Sequence, residues 1–443
     1  MNTVAKGFFK NISWMICGHI VQMIVNLIVG IISARYLGAA NFGTINYVAS
    51  YITFFISLSS FGMNGVIIQE LVRTDADEGQ IVGTVIVMRL GISILSMGAL
   101  GVMILLLDGD DRTILIIAAI QAISIPLSIL NTFQYWYHSK LKSKYATIFI
   151  TVSSFLATGY KVVLLITYQS VEWFAATTSL DFLFLAILYV WGFYKHKSKD
   201  IHLSFSMVVV KRMLKKCIPF LLADIMITIY SQTDKVMIKN MLDSAELVGL
   251  YTAAVTISRM ISFIPTAILD AGRPIVMRLK NTDESQYQLR IKQLFAVVIW
   301  IALLYSLGIT ALAKEVILVL YGVEYIGAVT TLRIVVWYTA FAFLGAVRDI
   351  WLICEHKSNY TIVFTSLGAA TNVVLNIPML RWYGIEGAAI ATLITQILTN
   401  VIYPLFFKGT RDYVLCAADA FLLKNIQLKV LVKAGANYLT QRL

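Results

Sequence analysis

Residues 81–107 read IVGTVIVMRLGISILSMGALGVMILLL. One charged residue, Arg89, interrupts this stretch. A helix that crosses the hydrocarbon core of a bilayer needs about 20 mostly apolar residues. A strand of a membrane barrel is about half that length and alternates apolar with polar side chains. Because this stretch is long and continuously apolar, it predicts a membrane-spanning helix.

Similar stretches recur along the chain and predict twelve spans. These are Ile12–Ala34, Thr44–Ile67, Ile81–Leu107, Thr113–Gln134, Thr147–Tyr168, Trp173–Tyr194, Cys217–Ile238, Leu250–Leu269, Gln293–Ala313, Thr330–Trp351, Thr361–Leu380 and Ile385–Phe407. The first contains His19, Gln22 and Asn26 and is too long and too polar for the core of a signal peptide. We therefore expect it to remain as a span.

Composition and charge agree with a polytopic membrane protein. Hydrophobic residues make up 59% of the chain and charged residues 14%, against about 25% charged in soluble proteins. With the N-terminus placed inside, 25 of the 36 Lys and Arg residues fall on inner segments and 5 on outer loops. This bias predicts that both termini are cytoplasmic. It also accounts for the net charge of +12, so we expect no nucleic-acid partner.

No motif indicates catalysis or a bound cofactor. The four cysteines, Cys17, Cys217, Cys354 and Cys416, lack the spacing of metal ligands or of a disulfide framework and are expected only to pack. There is no phosphate-binding glycine loop, HExxH or GxSxG motif. The predicted outer loops are short. We therefore expect a protein that is not an enzyme, without metal or cofactor.

The middle of the chain divides the spans into two sets of six. Residues 195–216 contain seven basic residues, with apolar side chains at helical spacing, and predict an amphipathic helix at the membrane surface. The predicted domains are an N-terminal six-helix bundle (1–194), the cytoplasmic linker (195–216), a C-terminal six-helix bundle (217–408) and a cytoplasmic or interfacial tail (409–443).

A weak internal repeat supports this division. Residues 37–43 read LGAANFG and residues 242–249 read LDSAELVG. Arg73 lies 30 residues after Gly43, and Arg278 lies 29 residues after Gly249. Parallel repeats of this kind occur in transporters, which place their substrate cavity between the halves.

Charged residues within the spans mark the candidate site, because burying a charge in a membrane is costly. Arg259 ranks first, since it lies near the centre of the eighth span and its planar guanidinium suits phosphate. The predicted cationic cavity comprises Arg259, Arg89, Lys235 and Lys161. The candidates for ion coupling or ion pairing are Asp224, Asp234 and Asp181. A carboxyl group at this depth can carry a proton.

Structural alternatives remain open for these residues. Arg259 could pair with Asp224, Arg89 could extend to the inner surface, and Lys161 could form a salt bridge with Asp181. Residues near span ends are predicted to be anchors or interface belts: Arg333, Arg348, Asp349, Tyr135, Trp136, Tyr137, Trp382 and Tyr383.

Six short segments resemble the polysaccharide-biosynthesis flippases of the Wzx type. They are Ala34–Gly43, Asp234–Leu242, Val248–Ala254, Leu320–Tyr325, Asn372–Asn376 and Tyr383–Ala389. The resemblance implies the fold of the multidrug and toxin extrusion (MATE) transporters, with two six-helix bundles and alternating access. Some members of the family have fourteen spans, whereas twelve are predicted here.

The resemblance also implies a function in a bacterial inner membrane. An undecaprenyl-pyrophosphate-linked oligosaccharide, such as an O-antigen unit of lipopolysaccharide, would move from the cytoplasmic to the outer leaflet through a cationic cavity. Some members couple this movement to an ion. A polymerase and a chain-length regulator of the same pathway are the implied protein partners, beside the lipid-linked substrate and membrane lipids.

Two other functions are compatible with a polytopic chain. A cation-coupled multidrug exporter of the same fold would need fewer basic residues at depth. A membrane glycosyltransferase, polymerase or ligase of the same pathway would need a catalytic set and longer outer loops. A purely structural scaffold would not need so many charges within its spans.

Overall fold

The computed structural model describes residues 3–73, 77–198 and 201–424, with side chains from residue 22 onward. The regular elements in these ranges are helices, which confirms the predicted all-α fold. They are α1 Thr3–Ser60, α2 Met63–Leu71, α3 Glu78–Asp108, α4 Arg112–Ala122, α5 Ser124–Leu127, α6 Thr132–Ser139, α7 Ser143–Ile166, α8 Val171–His196, α9 Met207–Leu242, α10 Ala245–Arg259, α11 Phe263–Lys280, α12 Glu284–Ala311, α13 Ala313–Leu320, α14 Ala328–Cys354, α15 Asn359–Ile397, α16 Tyr403–Phe406 and α17 Arg411–Phe421. The predicted tail lies outside the described residues from 425 onward.

Nine helical segments of the described chain are long and apolar enough to cross a membrane. Two of them, Gln22–Leu71 and Asn359–Phe406, are 50 and 48 residues long and each overlaps two predicted spans. Each contains a glycine with positive φ, Gly38 at 74° and Gly384 at 58°, a conformation that glycine adopts without a steric penalty. The seventh predicted span lies in α9, which is not among the nine. The count of twelve spans and the side on which the termini lie stay predictions.

The chain packs as two compact units. The first contains residues 1–252 and 319–325, and the second contains residues 253–318 and 326–443. In the first unit, large aromatic side chains such as Trp136 and Phe193 fill a core between helices. In the second unit, Phe295 and Tyr413 belong to a separate core. α9 therefore packs with the N-terminal helices. The boundaries of the two six-span bundles stay a prediction.

The segment predicted as an amphipathic linker helix has a different structure. Residues 201–206 are not helical, and the amide of Ser204 donates to the carbonyl of Gly79 at 3.3 Å. A Cβ on Gly79 would lie 2.1 Å from the carbonyl oxygen of His202, and one on Gly83 would lie 2.5 Å from that of Ser204. The two glycines of α3 therefore form a groove in which this segment lies, and the prediction of a separate surface helix is wrong.

Residues 207–216 of the predicted linker form the first turns of α9. Val209 and Met213 are 3% and 0% exposed and belong to the core of the first unit. The carboxylate of Glu70, on α2, is fully buried between two basic residues of α9: its oxygens lie 2.7 Å from Arg212 Nε and 2.6 Å from Lys216 Nζ. A buried carboxylate requires such partners, so these basic residues stabilise the packing of α9 against α2.

The two glycines of the internal repeat meet each other in the first unit. A Cβ on Gly43 would lie 1.7 Å from the carbonyl oxygen of Ala245 and 2.7 Å from the amide nitrogen of Gly249. A Cβ on Gly249 would lie 2.0 Å from the carbonyl oxygen of Ala39. On each helix the contact is made by an alanine and the glycine four residues after it. These are Ala39 and Gly43 on α1, and Ala245 and Gly249 on α10. The backbones approach too closely for any larger residue at either glycine.

Candidate functional site

A cavity of ≈ 280 Å³ lies within the first unit, among α1, α2, α3, α6 and α9. Most of the residues that line it carry polar groups, although the cavity lies among helices of membrane-spanning length. The lining residues are Thr53, Ile56, Ser57, Ser60, Asn64, Arg89, Asn131, Tyr135, Asp224, Ile227 and Thr228. It combines one cation, one carboxylate, two amides and several hydroxyl groups.

Arg89 is held in this cavity by α3 and the turn before α6. Its side chain is 3% exposed. Nη1 donates to Thr132 Oγ1 and Nη2 donates to the carbonyl oxygen of Ser128, both at 3.2 Å, and Nε has no hydrogen-bond partner among the described residues. The Ser128–Asn131 segment is a 3₁₀ turn, which presents the Ser128 carbonyl to the guanidinium. The alternative in which Arg89 extends to the membrane surface is therefore wrong.

Asp224 lines the same cavity from α9. Within the described part of the chain, no hydrogen bond or ion pair joins its carboxylate to Arg89. The side-chain oxygen of Asn64, also in the lining, is buried without a partner among the described residues. Buried polar groups normally find hydrogen-bond partners. Unsatisfied groups of both kinds, donor and acceptor, make this cavity suitable for a polar ligand that carries negative charge and hydroxyl groups.

The other predicted acidic residues have partners of their own. Asp181 Oδ1, on α8, accepts a hydrogen bond from Ser153 Oγ at 2.6 Å, and Asp181 and Lys161 form no ion pair within 4.0 Å in the described chain. Lys161 is half-buried on α7. Asp234 is 8% exposed and accepts from Tyr251 Oη. Neither carboxylate lines the cavity around Arg89.

The remaining predicted cations lie elsewhere. Lys235 is half-buried on α9 and does not line the cavity. Arg259 lies in the second unit, at the end of α10, where its exposed side chain donates from Nε to Tyr338 Oη at 2.7 Å. Arg89 and Asp224 therefore line one cavity. Lys161, Lys235 and Arg259 do not line it. Their assignment to a cationic substrate site stays a prediction.

The charge pattern of the sequence does not identify the other lining residues. Tyr135 lines the cavity, while Trp136 and Tyr137 are 2% and 0% exposed, so the prediction that these three aromatic residues form an interface belt is wrong.

The signal that could have identified the cavity is the spacing of Thr53, Ser57 and Ser60. These residues are four and three positions apart, which places polar groups along one face of an apolar helix.

The prediction that Arg348 is an anchor near a span end is also wrong. Arg348 is 4% exposed. Its guanidinium donates to the carbonyl of Thr399 at 3.0 Å, to Asn400 Oδ1 at 2.9 Å and to Asp349 Oδ1 at 2.9 Å. The acceptors Thr399 and Asn400 lie in a π-helix, Leu398–Ile402. This network is internal to the second unit and its guanidinium is already well paired.

Comparisons with solved structures identify the fold. The lipid II flippase MurJ in an inward closed conformation matches with a TM-score of 0.72 at 14% identity, covering 93% of this chain and 91% of that one. An inward-facing multidrug resistance MATE family transporter of the MOP superfamily matches at 0.64 and 14% identity, covering 93% and 96%. The multidrug transporter DinF-BH matches at 0.62 and 16%, covering 90% and 94%. The chain is a multi-pass membrane protein with this transporter fold.

The sequence comparison then identifies the family. The family model described as polysaccharide biosynthesis protein matches residues 8–280, and the chain belongs to this family. A curated relative, the probable flippase AglR of Haloferax volcanii, is 27% identical over 168 residues, which is 36% of this chain and 34% of the relative. The match thus spans about a third of that relative's length.

Proposed function

We propose that the protein is a flippase that moves an undecaprenyl-pyrophosphate-linked oligosaccharide from the cytoplasmic to the outer leaflet of a bacterial inner membrane. The observation that carries this proposal is the polar cavity around Arg89, a nearly fully buried guanidinium with an unused donor among helices of membrane-spanning length. The lipid tail can stay in the bilayer, but phosphates and sugars need a polar passage. A buried arginine compensates the desolvation of a phosphate through charge-assisted hydrogen bonds.

The lining of the cavity suits both parts of such a headgroup. Arg89 would bind a phosphate oxygen. Asp224, Asn64 and Asn131 would accept or donate hydrogen bonds to sugar hydroxyl groups, and the ring of Tyr135 offers an apolar face. Membership in the polysaccharide biosynthesis family supports a carbohydrate substrate. A polymerase and a chain-length regulator acting on the translocated unit would be the protein partners.

If transport is coupled to an ion, Asp224 is the first candidate among the three predicted carboxylates. Asp181 accepts from Ser153 and Asp234 accepts from Tyr251, so both have local roles in packing. Asp224 instead faces the cavity, where a change in its charge would alter the attraction between the site and a phosphate.

The proposal is tested in a cell whose surface-polysaccharide cluster carries this gene. After deletion of the gene, complete lipid-linked units should accumulate in the cytoplasmic leaflet, and the wild-type gene should reverse this. Unpolymerised units in the outer leaflet would instead indicate a polymerase or ligase. A normal surface polysaccharide would contradict the proposal and favour the multidrug exporter.

Arg259 gives a separate prediction. Arg259→Ala is expected to abolish translocation, whereas Arg259→Lys should retain part of it, because lysine keeps the charge but lacks the planar fork. The measurement is the amount of lipid-linked unit reaching the outer leaflet at matched expression. Arg333→Ala, at an exposed arginine of α14, is the control and should behave as wild type. A fully active Arg259→Ala variant would show that translocation does not depend on this arginine.

A further inference from the structure

A row of buried polar side chains, which we call the polar seam, extends along α3 from Arg89 and away from the cavity. On this helix it consists of Arg89, Ser93 and Ser96, which are 3%, 0% and 1% exposed. The three residues are four and three positions apart, so they share one face of the helix. A buried polar face in a helix long enough to span a membrane is costly unless its groups find partners.

The other side of the polar seam lies on the helical segment Arg112–Ser139. Its members are each 0% exposed and are Gln121, Ser124, Ser128 and Thr132. Because α3 ends at Asp108 and α4 begins at Arg112, the two sides run antiparallel, and the bond from Arg89 to the Ser128 carbonyl fixes their register. Four residues along each helix bring Ser93 opposite Ser124. Seven residues bring Ser96 opposite Gln121.

The hydroxyl groups of this second side already donate within their own segment. Ser124, Ser128 and Thr132 each donate to the carbonyl oxygen three residues earlier, at 2.6, 2.7 and 2.6 Å. A hydroxyl oxygen that donates its proton can still accept, as Thr132 Oγ1 does from Arg89. This side of the polar seam therefore supplies acceptors.

Five side-chain atoms of the polar seam have no hydrogen-bond partner among the described residues. They are Arg89 Nε, Ser93 Oγ, Ser96 Oγ, Gln121 Nε2 and Gln121 Oε1. Serines alone could serve the close packing of two helices. Gln121 does not fit that explanation, because its amide is large and fully buried, and leaving both ends of a buried amide unsatisfied is expensive.

The chemistry of these groups matches water. Donors such as Arg89 Nε and Gln121 Nε2 are combined with acceptors such as Gln121 Oε1, and a buried water molecule uses both kinds, in about three hydrogen bonds. The charge of Arg89 disfavours a cation. One turn beyond Ser96 and Gln121 the same register brings Leu100 opposite Ile117, which are 2% and 0% exposed. These apolar residues end the seam on the side away from Arg89.

We propose that the polar seam binds a file of water molecules, which runs from Gln121 and Ser96 past Ser93 to Arg89 Nε. The file hydrates the guanidinium at the atom that neither Ser128 nor Thr132 contacts. It thereby reduces the cost of burying this charge. A substrate phosphate would displace the water at Nε, and this step rests on the proposed function, whereas the water file does not.

The direct test is water-edited solid-state NMR of the full-length protein in lipid vesicles. Magnetisation should pass from water protons to the side-chain amide of Gln121, which is the signal lost in Gln121→Met. The matched control is the side-chain amide of Asn400, which is 3% exposed but donates to the carbonyl oxygen and Oε1 of Gln396. It should receive little magnetisation. Equally weak transfer to both amides would overturn the proposal.

Thermal stability gives a second test with small substitutions. In a dry seam, Gln121→Met and Ser96→Ala would remove unsatisfied groups and raise the Tm. In a hydrated seam both should lower the Tm, because water molecules lose partners, and the double variant should depart from additivity since the two residues share water. Leu100→Met, on the same face of α3, changes one apolar side chain for another and should stay close to wild type.

A raised Tm for either polar variant would contradict the water file. Ser96→Ala removes a single oxygen atom, so it remains measurable even if Gln121→Met folds poorly. Neither experiment involves transport. A failed flippase assay would therefore leave a hydrated seam standing, and a dry seam would leave the proposed flippase function to its own test.

Discussion

Replacing Arg89 with alanine is expected to reduce translocation of the lipid-linked unit by about 100-fold, since a charge-assisted hydrogen bond contributes roughly 1.5–3 kcal/mol and each 1.4 kcal/mol is about tenfold. The guanidinium is nearly fully buried and is positioned by Ser128 and Thr132. Alanine would leave those two acceptors without their donor and the cavity without its cation. The measurement is the rate at which labelled units reach the outer leaflet at matched expression.

Two comparisons make this prediction specific. Arg89→Lys keeps a positive charge but cannot reach both Thr132 and Ser128 with a planar fork, so it should fall between alanine and wild type. Leu90→Ala changes the next residue of α3, whose side chain is 47% exposed, and should leave transport unchanged. Wild-type translocation by Arg89→Ala would exclude the cavity as the substrate site.

The second large effect is expected at the contact between Gly43 and Gly249. Gly43→Val should prevent the close approach of α1 and α10, because its Cβ would fall 1.7 Å from the carbonyl oxygen of Ala245. Overpacking in a dense contact costs about 1–3 kcal/mol, and backbone atoms cannot yield as side chains do. We expect little folded protein for the valine variant and a clearly lowered Tm for Gly43→Ala.

The control for this prediction is another glycine within a helix. At Gly91, on α3, no atom of the described residues beyond its own stretch of helix lies within 4 Å of the position that a Cβ would take. Gly91→Ala should therefore keep or raise the Tm, because alanine favours helix by about 1 kcal/mol. Gly249→Ala should resemble Gly43→Ala, and the double variant should be less than additive, since both substitutions push apart the same two backbones. A Tm of Gly43→Ala equal to that of wild type would contradict the close contact.

The sequence predicts the helices well because a membrane span must be apolar along its whole length. It also identifies important residues by the cost of burying them: Arg89 and Asp224 stand out as charges at depth, and both line one cavity. The aligned glycines of the internal repeat, Gly43 and Gly249, meet in the structure. These predictions depend only on the composition of each helix and on the spacing of residues along it, and both can be read from a single sequence.

The wrong predictions for Trp136, Tyr137 and Arg348 share a physical cause. Lipid and protein interior are both apolar, so hydropathy does not distinguish a side chain that faces lipid from one that faces another helix. The sequence therefore predicts Trp136 and Tyr137 at the membrane interface although they are core residues, and Arg348 as an anchor although it is buried in a hydrogen-bond network. The rotation of each helix about its axis is set by its neighbours.

An all-helical, multi-pass membrane protein with few charges within its spans can be predicted from the sequence, because the cost of burying a charge or an unpaired backbone group in lipid applies to each segment separately. Which of those charges share a cavity, and which have partners elsewhere, depends on how the helices pack. This packing brings Arg89 and Asp224 together from α3 and α9, and it places residues 201–206 in the groove at Gly79 and Gly83. Such contacts join segments far apart in the chain, and their geometry depends on packing that no local pattern records.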